Sequence, residues 1–264
     1  MLAIALAASL LAPPAVTRVA AAEGRLVQAG GIVGRMWASA KLSASPRLVI
    51  VLHGDLAGPR DDYQYAFAKS AADHLDDAVV IAALRPGYED AHGARSTGDH
   101  GLATGDNYTP EVVRNLRVFI TSERTAFHAR SATLVGHSGG AALAADLVED
   151  GPAIASRLLL VSCPCDLRAW RRHMFFRQFN PAWLLPVRSL SPVEGARRLP
   201  PDLRVRIVVG DGDLVAPPRL SAAFAMAARA AGLHPVFVAL PGAGHNLLLD
   251  LRVMQQLERL QNSR

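Results

Sequence analysis

Residues 136–140 read Gly-His-Ser-Gly-Gly, a serine set between glycines in the pattern G-x-S-x-G. A serine hydroxyl is a weak nucleophile until a neighbouring base takes its proton. Held up on a sharp strand-to-helix turn, it can be reached by both a base and a substrate. The flanks here fit such a turn: strand-like Ala-Thr-Leu-Val at 132–135 precedes the motif, and an Ala-rich helical stretch at 139–149 follows it. Ser138 is therefore the candidate nucleophile. The N–H of Gly139, at the start of that helix, is placed to donate to a developing oxyanion. The pattern alone arises by chance in Gly-rich chains, so its weight comes from the strand and helix around it.

Two other groups of reactive side chains point elsewhere. His92, Asp99, His100 and Asp106 crowd the Gly-rich loop 85–109, but their spacing matches no metal-ligand pattern. A solvated loop is expected there, with no metal and no cofactor. Cys163 and Cys165 are separated only by Pro164. Such residues point apart in an extended chain, and a disulfide needs Cβ atoms within roughly 4.5 Å. A pair of buried thiols is expected, with a strained bridge as the alternative.

The elements that must position Ser138 alternate regularly. Residues 25–39 read as a hairpin turning at Gly30-Gly31. The short apolar runs 47–52, 79–84, 132–135, 157–161, 204–209 and 235–240 read as strands, those without polar alternation as buried on both faces. Helical patterns lie between them: 61–75, with Asp61, Asp62 and Tyr63 at its start; a helix from Pro110 with Thr109 as N-cap; 139–149; 217–231; and 246–260. This is an α/β chain with a mostly parallel sheet covered by helices on both faces. One stretch, 166–201, breaks the rhythm. It carries Trp170, Phe175, Phe176, Phe179 and Trp183 beside Arg168, Arg171, Arg172 and Arg177.

On the motif and its setting, the sequence resembles the α/β-hydrolase superfamily from about residue 25 onward. The resemblance implies a nucleophile, an acid and a histidine in that chain order. Asp213, four residues before the helix-opening Pro217, matches the acid loop; Asp166 is its rival and Asp211 a weaker one. His245 in Pro-Gly-Ala-Gly-His matches the histidine loop. His53-Gly54-Asp55 stands where the family carries an HG motif, so the N–H of Asp55, or that of Leu56, is the second oxyanion donor, with His53 buttressing the loop. A carboxylate at 55 is out of place beside a growing negative charge unless it turns away or is hydrogen-bonded. Arg85-Pro86-Gly87-Tyr88 resembles a loop that flanks the site. The excursion 166–201 resembles a cap whose aromatics either line a substrate pocket or pack it down. The implied reaction is cleavage of a carboxylic ester through an acyl-enzyme. A small peptidase or amidase is the enzyme alternative, and a catalytically silent binding scaffold the non-enzyme one. The expected partner is a small-molecule ester or amide.

The whole chain agrees with one large domain. Its 264 residues are half hydrophobic, enough for a single core, and 19% charged, too few for a disordered chain. The net charge of +5 is almost all arginine. No basic stripe interleaved with aromatics argues for nucleic acid. Residues 2–11 are apolar but for Ser9, Pro13-Pro14 follow, and Ala20-Ala21-Ala22 offers a small-residue cleavage site. Residues 1–22 thus read as a secretory signal lacking its usual basic start, and 23–264 as the exported mature domain. The run is too short to be a membrane anchor.

Overall fold

The computed structural model describes residues 24–55, 62–101, 104–149 and 153–263. The signal-like segment 1–22, Asp61 and Leu56 lie outside them. The chain opens as a hairpin of β1 (Arg25–Ala29) and β2 (Ile32–Ala38). Gly30 and Gly31 have φ of 57° and 79°, the two left-handed positions that a two-residue hairpin turn requires. Next come β3 (Arg47–Leu52), α1 (Tyr63–His74), β4 (Ala78–Ala83), α2 (Pro110–Ala126), β5 (Ser131–His137) and α3 (Gly139–Glu149). After β6 (Arg157–Val161) stand α4 (Leu167–Gln178), a 3-10 turn at Pro181–Leu184 and the short α5 (Pro192–Gly195). The chain ends with β7 (Arg204–Gly210), α6 (Pro218–Ala230), β8 (Val236–Leu240) and α7 (Leu251–Asn262).

Among the described residues the strands form one sheet in the order β1-β2-β4-β3-β5-β6-β7-β8. The hairpin runs antiparallel to β4, and the other neighbours are parallel. Strand β3 shows why the apolar runs are continuous. Leu48, Ile50 and Leu52 belong to the buried cluster that also holds residues of α2, α3 and α6 on one face, while Val49 and Val51 belong to the cluster that holds residues of α1 and α7 on the other. Strand order reverses between β3 and β5. Connections leaving these neighbours diverge there and open a crevice beyond their carboxyl ends.

Three expectations need correction. Helix α1 starts at Tyr63, not 61, and Asp62 flanks it without a side-chain capping bond. Helix α7 starts at Leu251, not 246. Residues 246–250 form turns closed by Leu247 N–H to the His245 carbonyl and Asp250 N–H to the Leu247 carbonyl, and Asp250 is the N-cap. Cys163 and Cys165 form a disulfide rather than buried thiols. The chain is not extended there, since the two Cα atoms lie 5.0 Å apart. Two extended residues would span ~7 Å.

Candidate active site

Ser138 sits at the turn from β5 into α3 with φ 53°, a backbone conformation unusual for a residue with a side chain. The turn is tight enough to exclude side chains on either side. A Cβ on Gly136 would lie 2.3 Å from the Gly140 carbonyl oxygen, and one on Gly139 would lie 2.4 Å from the Tyr108 hydroxyl. The glycines of the motif are thus steric requirements. Helix α3 begins directly behind the serine, and the N–H groups of Ala141 and Ala142 donate to the Ser138 carbonyl.

From the ends of β7 and β8 the structure brings Asp213 and His245 to this serine. His245 Nε2 is 3.0 Å from Ser138 Oγ, and its Nδ1 is 2.9 Å from Asp213 Oδ2. Asp213 is 2% exposed and also accepts from the N–H groups of Val215 and Ala216. Burial alone would raise its pKa, but the bonds from His245 and Ala216 hold the carboxyl below its usual range. Nδ1 of His245 therefore carries the proton, leaving Nε2 to accept from the serine. The rival acids are engaged elsewhere. Asp166 caps α4 by accepting from Ala169 N–H, and Asp211 accepts from Gly242 N–H.

Asp55 follows β3, and its loop lies against Ser138: a Cβ on Gly54 would be 3.0 Å from Ser138 Cβ. Its carboxylate does not turn away. Oδ1 would be 2.7 Å from a Cβ on Gly139. The charge is met in place: Arg85 Nη1 donates to Oδ1 at 2.8 Å, and the Tyr108 hydroxyl and Gly105 N–H donate to Oδ2 at 2.8 and 3.1 Å. Arg85 is fully buried, donates also to Asn107 Oδ1, and lies over the rings of Tyr88 and Tyr108. His53 braces the loop as expected, bonding through Nδ1 to the Gly54 carbonyl and accepting from Arg85 N–H at Nε2. Burial, then the charge of Arg85, lowers its pKa to about 3. The loop 85–109 is therefore not simply solvated, since both its ends are buried against the site.

A second chain of bonds crosses beneath the serine. The Tyr63 hydroxyl accepts from Gly54 N–H at 2.7 Å and lies 2.9 Å from His137 Nδ1. His137 Nε2 is 3.0 Å from the His245 carbonyl. Only one arrangement of protons satisfies all three contacts: Tyr63 donates to Nδ1, and Nε2–H donates to the carbonyl. Burial is the main cause that lowers the His137 pKa to about 4, so the ring is neutral at physiological pH.

No protein-family model matches the sequence, and no curated protein does either. Solved structures do. Est1E from Butyrivibrio proteoclasticus superposes with a TM-score of 0.66 at 14% identity, over 91% of this chain and 100% of that one. The chain has the α/β-hydrolase fold. The Pyrococcus furiosus esterase PF2001 gives 0.62 at 13% identity over 88% and 86% of the two chains. A puromycin-hydrolyzing peptidase of Mycobacterium tuberculosis gives 0.64 at 16%, with 89% of this chain covering 38% of the peptidase. At these identities the likeness is one of fold.

Within this α/β-hydrolase fold, five residues of the site are not legible as such in the sequence. Arg85 and Tyr88 were noted only as part of a flanking loop, His137 only as the variable position of the motif, and Tyr63 only as a helix start. Tyr108, next to the N-cap Thr109, carried no signal, because its partner Asp55 lies 53 residues away.

Proposed function

We propose that the chain is a serine hydrolase that cleaves a carboxylic ester through an acyl-enzyme. The observation that carries this reading is the 3.0 Å contact between Ser138 Oγ and His245 Nε2, with Nδ1 of the same ring on the buried Asp213 carboxylate. Ser138 Oγ attacks the carbonyl carbon while His245 takes its proton. The N–H groups of Gly139 and Asp55 donate to the tetrahedral oxyanion. His245 then protonates the leaving alcohol, and water repeats the sequence to release the acid. Asp213 holds the imidazole in the right tautomer and stabilises the imidazolium formed twice per cycle. The Asp55 carboxylate beside the oxyanion is compensated by Arg85, so its negative charge does not oppose the one that develops.

The ester preference draws support from the fold shared with Est1E and esterase PF2001; the shared fold of the puromycin-hydrolyzing peptidase is the observation for an amide substrate. Turnover of p-nitrophenyl esters of increasing chain length, run beside amino-acid p-nitroanilides, decides between them. Ser138→Ala is expected to lower kcat by on the order of 10⁴ to 10⁶ with little change in stability. A fluorophosphonate is expected to label Ser138 alone. Full activity in the alanine variant, or labelling of a different serine, would sink the assignment. Asp213→Asn near pH 7.5 is expected to cost about 10⁴ in kcat, and Asp166→Asn almost nothing.

A further inference from the structure

Helix α4 buries Leu167, Trp170, Arg171 and Met174 and turns the opposite side outward. That outer side carries Arg168, Arg172 and Phe176 at intervals of four, with Phe179 three residues further on as the C-cap. Phe176 is 62% exposed and Phe179 80%. Phe179 is also left-handed at φ 51°, in a position where glycine or asparagine is usual. Exposing a phenyl ring and holding its backbone in this conformation both cost stability, and neither improves the packing of the fold. The next segment adds Leu184 and Leu185 at 60% and 63% exposure.

Charge says what meets this surface. Residues 167–193 contain five arginines and no Asp or Glu. Arg171 is turned inward onto the carbonyls of Thr104, Ala182 and Leu185. Among the described residues, none of the ion pairs involves Arg168, Arg172 or Arg177. A second copy of the chain docking symmetrically would set arginine against arginine. An anionic bilayer accepts both parts of the surface: its headgroup phosphates take the guanidinium groups, and its interface takes the phenyl rings.

We propose that the outer face of α4, together with Phe179, docks the protein reversibly on anionic lipid membranes. Docking is read by binding alone, independently of any hydrolysis. The test is flotation of the full chain with vesicles of equimolar phosphatidylcholine and phosphatidylglycerol, beside vesicles of phosphatidylcholine only. Binding to the anionic vesicles is expected at low salt, weaker by about tenfold or more on the neutral vesicles or in ~1 M salt. Arg168→Glu with Arg172→Glu, and separately Phe176→Ser with Phe179→Asn, are each expected to weaken it about tenfold or more. The second pair should keep or raise Tm, because asparagine tolerates the left-handed position. That combination, tighter folding with lost binding, separates a docking surface from a structural one. Failure to bind anionic vesicles, including the case in which the same face captures an acidic protein instead, overturns the proposal. Binding that all four substitutions leave unchanged overturns it too.

Discussion

His137 and Tyr63 make no side-chain hydrogen bond to the serine hydroxyl or the His245 imidazole, although the His137 and His245 ring centres lie 5.2 Å apart, and they join the three connections that meet there. Through them the N–H of Gly54, after β3, is tied to the carbonyl of His245, after β8. Tyr63→Phe removes the hydroxyl that serves both ends. The Gly54 N–H then lacks its acceptor and Nδ1 of His137 its donor, at roughly 1–3 kcal/mol for the unpaired groups. If the pair positions the oxyanion loop against His245, kcat should fall about 10- to 100-fold with KM little changed, since the affected geometry matters most when charge develops. A loss carried by KM, or by Tm without kcat, would make the pair structural. None of this was visible in the sequence, where Tyr63 and His137 stand 74 positions apart. Ser138 is legible from the strand and helix around its motif, whereas Asp213 and His245 are reached through the resemblance of their loops to those of the family.

Elements were legible where a single local rule governed them. The apolar runs at β3, β4 and β6 sit at their expected places because both sheet faces are covered, and α2 begins at Pro110 behind Thr109, whose side chain accepts from Val112 N–H. Boundaries set by tertiary contacts were not. Helix α7 was expected too early because 246–250 looked helical, although Asp250 before Leu251 was an available capping signal. The Cys163–Cys165 bridge stood only as the alternative to buried thiols, because the compact backbone that brings the two Cα atoms to 5.0 Å cannot be read from composition. Helix α3 holds a further surprise. Asp146 on it is 4% exposed with neither carboxylate oxygen hydrogen-bonded, three positions from Glu149. Burial, and then the charge of Glu149, raises its pKa well above the ordinary value. The native state thus keeps a proton that the unfolded chain releases above about pH 3.9, so this residue's contribution to stability falls as pH rises. Asp146→Asn cannot ionise. It should raise Tm more at pH 8 than at pH 5, and an equal effect at both would refute the buried proton.

At the scale of the molecule, His53 and His137 act in the opposite sense. Their folded pKa values of about 3 and about 4 lie below the ~6.5 of an unfolded histidine. Between pH 6.5 and 4 the unfolded chain binds protons that the native state refuses, so stability falls as pH falls through that window, by about 3 kcal/mol for each ring near pH 4. Thermal melts should show Tm dropping from pH 6.5 to 4.5, more steeply in Asp146→Asn, where the opposing group is gone. A flat Tm would contradict two neutral buried rings. The sheet itself carries one more consequence. His245 is delivered by β8, an outer strand whose residues are mostly part-exposed, with Val236 at 42%, while Ser138 stands on β5 inside the sheet. On the proposed mechanism the protein can therefore lose its activity while keeping its fold. Partial opening of β8 would withdraw His245 and leave Ser138 in place. Titrated with urea, activity should disappear before tryptophan fluorescence reports global unfolding, and amides of 236–240 should exchange with solvent faster than those of 131–137. The ceiling on its working conditions would then be set by the edge of the sheet and not by the strength of its core.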